Sequence, residues 1–302
     1  MQPRGGTMDF MTTKEAVKKW NISERRIRKL LKDGRITGAI KIGNSWSIPV
    51  NATKPVDKRS IKTEDNQIEF NIDKTALTEI ENIKEKVKRT DINEVVLDWL
   101  YHANKLEGNT LSKEEINIVL NNITVAGKTI EEHQEIINYK NAIEYITKSL
   151  NSENKITENH LITIHKLISK NIDTENAGIY RIENINNGKD YSLIQELIKK
   201  QISNYNESNQ PVIIKAIILH SELLKICPFK NNNRKTAQLL LNLILLHNDY
   251  YPVFITEKYQ KEYLFFLENA HSTGNYTNLI NLILEIEKNI LEEVSKTMDG
   301  DK

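Results

Sequence analysis

A short polar loop set between two long apolar runs constrains this chain more than any other feature. PVIIKAIILHSELLKI (Pro211 to Ile226) leads into CPFKNNNRK, and TAQLLLNLILL (Thr236 to Leu246) leaves it. Both runs read as helices, so the loop is a helix–turn–helix connection with polar residues where the chain reverses. Further helical patterns follow one another from about residue 74: NEVVLDWLYHANKLEG, KEEINIVLNN, TIEEHQEIINYKNAIEYITKSL, NHLITIHKLISK, SLIQELIKKQISNYN, EKYQKEYLFFLENAH and TNLINLILEIEKNILEEV. Only 11 glycines and 6 prolines interrupt 302 residues. The chain is therefore expected to be mainly α, with a helical domain large enough to bury its own core.

The first sixty residues have a different character. They hold eight lysines and six arginines against five acids, so an overall charge of +1 hides a basic head and a mildly acidic body. That asymmetry suits a nucleic-acid-binding head, and equally a solvated basic face. Thr12 and Glu15 form a T-x-x-E capping box opening a short helix to Trp20, and Asn21 breaks it. Ser23 caps a second helix, ERRIRKLLKD, with Ile27, Leu30 and Leu31 on one face and Gly34 placed to end it. AIKIGNSWSIP then reads as a hairpin wing turning at Gly43-Asn44. Trp20 and Trp46 are expected in the core. Arg25, Arg26, Arg28 and Lys29 occupy the faces left free by the apolar stripe, and Lys41 and Asn44 lie on the wing. Cations so placed can reach phosphates and guanine edges in a major groove. Residues 9–52 resemble the excisionase/MerR-like winged helix-turn-helix family, above all in KEAVKKWNISERRIRKLLKDGRI and IGNSWSIP. The resemblance implies double-stranded DNA as partner; a head used only for protein contacts is the alternative. Residues 1–52 are thus a head, 53–73 a polar linker and 74–302 a body.

Around the central loop the body resembles the Fic (Fido) family, whose signature is H-P-F-x-D/E-G-N-G/K-R-x-x-R. Pro228, Phe229 and Asn233 match it without a gap. Cys227 stands at the histidine, Asn231 at the acid, Asn232 and Arg234 at the glycines, Lys235 at the first arginine and Gln238 at the last. LEGNTLS (Leu106 to Ser112), AGIYR (Ala177 to Arg181) and ENAHSTGNYTNLINLI extend the likeness. The resemblance implies a Fic-like helical domain with a small β-hairpin flap, ENINNGKDYS (Glu183 to Ser192), turning at Asn187-Gly188. It also implies AMP transfer from ATP to a protein hydroxyl. In that chemistry the histidine removes a proton, the acid holds Mg²⁺, the glycines cradle phosphates and the arginines neutralise them.

Most of those roles are vacated here. A thiol with a reference pKa of about 8.5 is a poor base near neutrality, though a helix N-terminus could draw it towards thiolate. An amide at Asn231 offers Mg²⁺ far less than a carboxylate does. Asn232 tolerates left-handed backbone, Arg234 places a long side chain where phosphates approach, and Lys235 loses bidentate geometry. Losing the base alone costs about two to four orders of magnitude in rate. The S/T-x-x-x-E-G/N element, in which the family holds an inhibitory glutamate, is matched at Glu107, Gly108 and Asn109 but has Ala103 at its first position. A Glu107–Gln238 hydrogen bond is one expectation, and packing around Gly108 the other. His220, two helical turns before Cys227, is either a relocated base or a buried structural histidine.

The reading that follows is a cytoplasmic DNA-binding regulator carrying a degenerate Fic domain for oligomerisation, ligand sensing or partner binding. No cofactor is required; Lys230, Asn232, Asn233, Arg234 and Lys235 form a rim that could hold a nucleotide or phosphate without turning it over. A homodimer is expected because most such heads read symmetric sites. The alternatives are an unconventional transferase using Cys227, or an antidote-type binder of a Fic toxin. No metal set is expected, since His160 and His165 fall on different helix faces. A single cysteine, no apolar run of membrane-spanning length and no apolar leader fit a reducing compartment and no membrane association.

Overall fold

The computed structural model describes residues 10–32, 36, 39–42, 45–50, 52, 54, 72–86, 92–149, 155–186 and 188–300. Gly34, Gly43, Asn44, Asn187 and nearly all of the expected linker lie outside the described residues. The chain divides into two compact units, Met1–Asn66 and Gln67–Lys302.

The first unit begins with strand β1 (Phe10–Met11), then helices α1 (Thr13–Trp20) and α2 (Glu24–Lys32) and strands β2 (Ile40–Ile42) and β3 (Ser45–Pro49). The Thr12–Glu15 capping box is formed in both directions, and Asn21 ends α1 with φ +49°. The strands make one antiparallel sheet in the order β1-β3-β2, with Met11 opposite Ile48 and Lys41 opposite Trp46. Two residues of β1 carry no alternating pattern, which is why the strand escaped the sequence reading. Ala16, Trp20, Ile27, Leu30, Leu31 and Ile48 form the core, with Trp46 half-buried against it.

The second unit is helical: α3 (Lys74–Lys86), α4 (Asn93–Lys105), α5 (Lys113–Leu120), α6 (Ile130–Lys148), α7 (Glu158–Ile168), α8 (Ile194–Glu207), α9 (Val212–Ile226), α10 (Asn233–His247), α11 (Glu257–Thr273) and α12 (Thr277–Gly300). Capping boxes at Ser112–Glu115 and Thr129–Glu132 fix the starts of α5 and α6. From Lys235 to Leu246 every residue of α10 is buried. Its neighbours are α9, α7 and α6, so the helix leaving the loop runs through the middle of the body. Truncating one of its leucines to alanine would cost about 2–5 kcal/mol. The loop is thus anchored at its exit by the most deeply packed element of the domain.

The flap departs from the expected hairpin. Its described residues form bends and turns, closing with a 3₁₀ turn at Tyr191–Leu193, rather than paired strands. The carbonyls of Glu183 and Lys189, which cross-strand pairing would use, accept instead from the Arg181 guanidinium.

Candidate functional site

Helix α9 ends at Cys227, which takes a left-handed conformation (φ +52°) while its N–H donates to the Leu223 carbonyl. The chain reverses through Pro228–Asn231 and enters α10 from Asn232, also left-handed (φ +57°). Asparagine adopts this region more readily than most residues, so Asn232 holds the backbone shape that glycine gives elsewhere. Asn233, the retained asparagine, closes the loop on itself. Its Nδ2 donates to the Phe229 carbonyl and its Oδ1 accepts the Phe229 N–H, both at 2.9 Å.

Three further side chains fix the loop from below. Phe229 is fully buried and stacks on His165 of α7, with ring centroids 3.7 Å apart and planes 3° from parallel. His165 Nδ1 accepts the Gly178 N–H, which leaves the proton on Nε2, facing the Asn231 carbonyl at 3.3 Å. Burial holds this imidazole down to about 4, so it is neutral at physiological pH. Asn231 turns its amide nitrogen to Asp173 Oδ2 at 2.9 Å. Hydrogen bonds from Asn176 and then Asn231 keep the Asp173 carboxyl below the usual range. Arg181, only 7% exposed, donates to the carbonyls of Cys227 (2.7 Å), Ile226, Glu183 and Lys189. A guanidinium at the C-terminal carbonyls of α9 satisfies orphan acceptors and complements the helix dipole. Gly188 lies directly against it: an added Cβ would stand 2.5 Å from Arg181 Nη2.

The charged positions are arranged differently from expectation. Glu107 does not bond Gln238; its Oε1 forms an ion pair with Arg234 Nη1 at 2.8 Å. Residues 234 and 238 are four apart on α10 and share a face, so the guanidinium missing at Gln238 reappears one turn earlier. Gln238 is buried and its Nε2 has no partner among the described residues. It lines a small cavity with Leu106, His220, Arg234 and Tyr263, of about 10 Å³, room for roughly one water. Lys235 does not belong to an exposed rim. It is 4% exposed and paired with Glu135 at 3.1 Å, because the first turn of α10 faces α6. Lys230 is exposed. Asn109 is a turn-forming residue: its amide donates to the Glu132 carbonyl and to Glu135, while its oxygen accepts the Leu111 N–H.

The two candidate bases are unsuited to the role. Burial pushes the Cys227 thiol up, with the Arg181 charge acting in the opposite sense, so the thiolate is disfavoured. His220 is buried, bonded to the Tyr263 hydroxyl at 2.8 Å and held down to about 4 mainly by burial. In the head, Arg25, Arg28, Lys29 and Lys41 are exposed and Arg26 is half-buried; Arg28 pairs with Glu24 at 2.8 Å. Among the described residues no group of three His, Cys, Asp or Glu could hold a metal, and no helix is long and apolar enough to cross a membrane.

Sequence reasoning missed Asp173, His165 and Glu135, whose partners lie 58, 66 and 100 residues away in the chain, a separation that carries no local signal. Arg181 was visible within AGIYR, but its role was not.

Residues 155–245 match the model of the Fic/DOC family. The chain is similar to the protein adenylyltransferase Fic of Drosophila ananassae, with 24% identity over 250 residues covering 80% of this chain and 49% of that protein. The Drosophila virilis protein of the same name is 26% identical over 225 residues, covering 72% and 46%. The chain spans about half the length of the curated relatives it matches. Among solved structures, C. elegans Fic-1 superposes with a TM-score of 0.70 at 23% identity, covering 76% of this chain and 73% of that one. A Fic family protein from Desulfovibrio desulfuricans G20 gives 0.64 at 20% identity, covering 74% of each chain. The body therefore has the Fic fold.

Proposed function

We propose that this chain is a DNA-binding regulator whose Fic domain no longer transfers AMP and serves as a ligand-sensing, dimerising or partner-binding platform. The observation that carries the reading is the charge arrangement at the loop. The residues present do not fit a metal–triphosphate: Asn231 turns an amide nitrogen to Asp173, Lys235 is neutralised by Glu135, and Arg234 is tied to Glu107 where phosphates would approach. No base replaces the missing histidine, since Cys227 is held as the thiol and His220 is sequestered by Tyr263. Each deficit removes an interaction that transfer needs in its transition state, and together they leave the fold without the reaction. Exposed Arg25, Arg28, Lys29 and Lys41 support the DNA-binding role of the head.

Two measurements test this. The full chain, incubated with ATP labelled at the α-phosphate and Mg²⁺ or Mn²⁺, transfers no label to itself or to lysate proteins. It shifts duplex DNA at low salt, with affinity falling steeply as salt rises. The relatives named protein adenylyltransferase favour a second reading, in which the domain still moves AMP. Label transfer that disappears in Cys227→Ala would establish it.

A further inference from the structure

We infer that Lys32 contacts a DNA backbone phosphate, and that with Arg28 and Lys41 it forms a phosphate seat on the head distinct from the crest of α2 that faces the groove. The inference rests on the DNA-binding reading above and assigns roles within that surface. On α2 the buried Ile27, Leu30 and Leu31 define the core side. At 100° per residue, Arg25 and Lys29 point directly away from it, and Arg28 and Lys32, four apart, share one flank.

That flank is not a flat surface. Arg28 and Lys32 line a concave region of about 480 Å³ whose other wall is the sheet, where Lys41 of β2 stands opposite Trp46 of β3. Directly opposed residues of an antiparallel pair project on the same face, which is why the ammonium and the half-buried indole meet in one groove. Thr13 and Ser45 add hydroxyls to its edge. Among the described residues no carboxylate lines the groove; Glu24 lies nearby, paired with Arg28 at 2.8 Å and accepting from the Thr13 hydroxyl at 3.4 Å. Lys32 and Lys41, with the Glu24-paired Arg28, the Ser45 hydroxyl and an aromatic wall around an open groove, are complementary to a phosphodiester and its flanking sugars. Contacts of this kind fix a protein's register on the duplex without reading bases, whereas the opposite-core pair Arg25 and Lys29 has the reach for base edges. Lys32 carried no signal of its own in the sequence, because the groove exists only once β2 and β3 stand beside α2.

The test uses the full chain and fluorescence anisotropy with several mixed-sequence duplexes across a range of salt. Lys32→Ala/Lys41→Ala should bind every duplex about tenfold more weakly at low salt. The slope of log affinity against log salt should fall by about two, near 0.9 for each phosphate no longer neutralised. The ranking among duplexes should be unchanged, Arg25→Ala/Lys29→Ala should alter that ranking, and Lys32→Arg/Lys41→Arg should keep the wild-type slope. Circular dichroism establishes that each variant keeps its helices. A double-alanine variant with wild-type slope and intact DNA binding overturns the phosphate seat alone. A wild-type chain that binds no duplex overturns the DNA-binding reading and the seat with it. A wild-type chain that prefers an acidic peptide to every duplex does the same.

Discussion

Glu287 makes the stability of the body depend on pH in a calculable way. It lies on α12 with no exposed surface, accepts the Tyr251 N–H at Oε1 (3.0 Å), and has no partner for Oε2 among the described residues. Burial raises its carboxyl from 4.5 to about 8; the Tyr251 N–H and Lys84 oppose the shift and Glu81 adds to it. Lys84 and Glu81 are themselves paired at 2.8 Å on α3, and Tyr250 donates to Glu81. A carboxyl raised on folding keeps its proton in the folded state where the unfolded chain has lost it. Its contribution is therefore fully present below the unfolded value and is lost as pH rises through the folded one. At 1.36 kcal/mol per tenfold, the climb from pH 6 to 8 removes about 2.5 kcal/mol. In Glu287→Gln a neutral amide replaces the protonated acid, so that slope should vanish. Urea unfolding of the helical body at pH 6 and 8 measures it: the wild type should lose about 2.5 kcal/mol more than the variant between the two. Parallel pH profiles would refute the assignment of a buried, proton-holding carboxyl.

Two other substitutions probe the site. Gly188→Ala forces a methyl group against the Arg181 guanidinium at 2.5 Å, which should cost about 1–3 kcal/mol and raise protease cleavage between Glu183 and Ser192. Glu107→Ala removes a partly exposed ion pair, worth less than about 1 kcal/mol, and frees Arg234; calorimetry should show tripolyphosphate binding more tightly to the variant than to the wild type, and Arg234→Ala should abolish the gain.

The sequence carried the architecture well because its signals are local. Helical periodicity and the capping box at Thr12 depend on residues within one or two turns. The register of the loop was also readable, since Asn233 can tie itself to Phe229 only at that four-residue spacing. The electrostatics of the site were not. Matching Gln238 to a lost arginine led to the expectation of a Glu107–Gln238 bond, whereas helix geometry lets Arg234 present its charge from the same face one turn away. Lys235 looked available because its partner, Glu135, comes from α6, a hundred residues earlier. The flap resembled a hairpin in sequence because its turn residues are those of a hairpin. What unpairs it is Arg181, whose guanidinium takes the carbonyls from both arms.

Whether the loop transfers AMP is decided by the rate at which the purified full chain moves label from ATP marked at the α-phosphate onto protein, with Mg²⁺ and Mn²⁺ supplied separately. A neutral thiol at residue 227 and an amide at residue 231 predict incorporation at background level, identical in the wild type and in Cys227→Ala. Incorporation well above background that is lost in Cys227→Ala would contradict it.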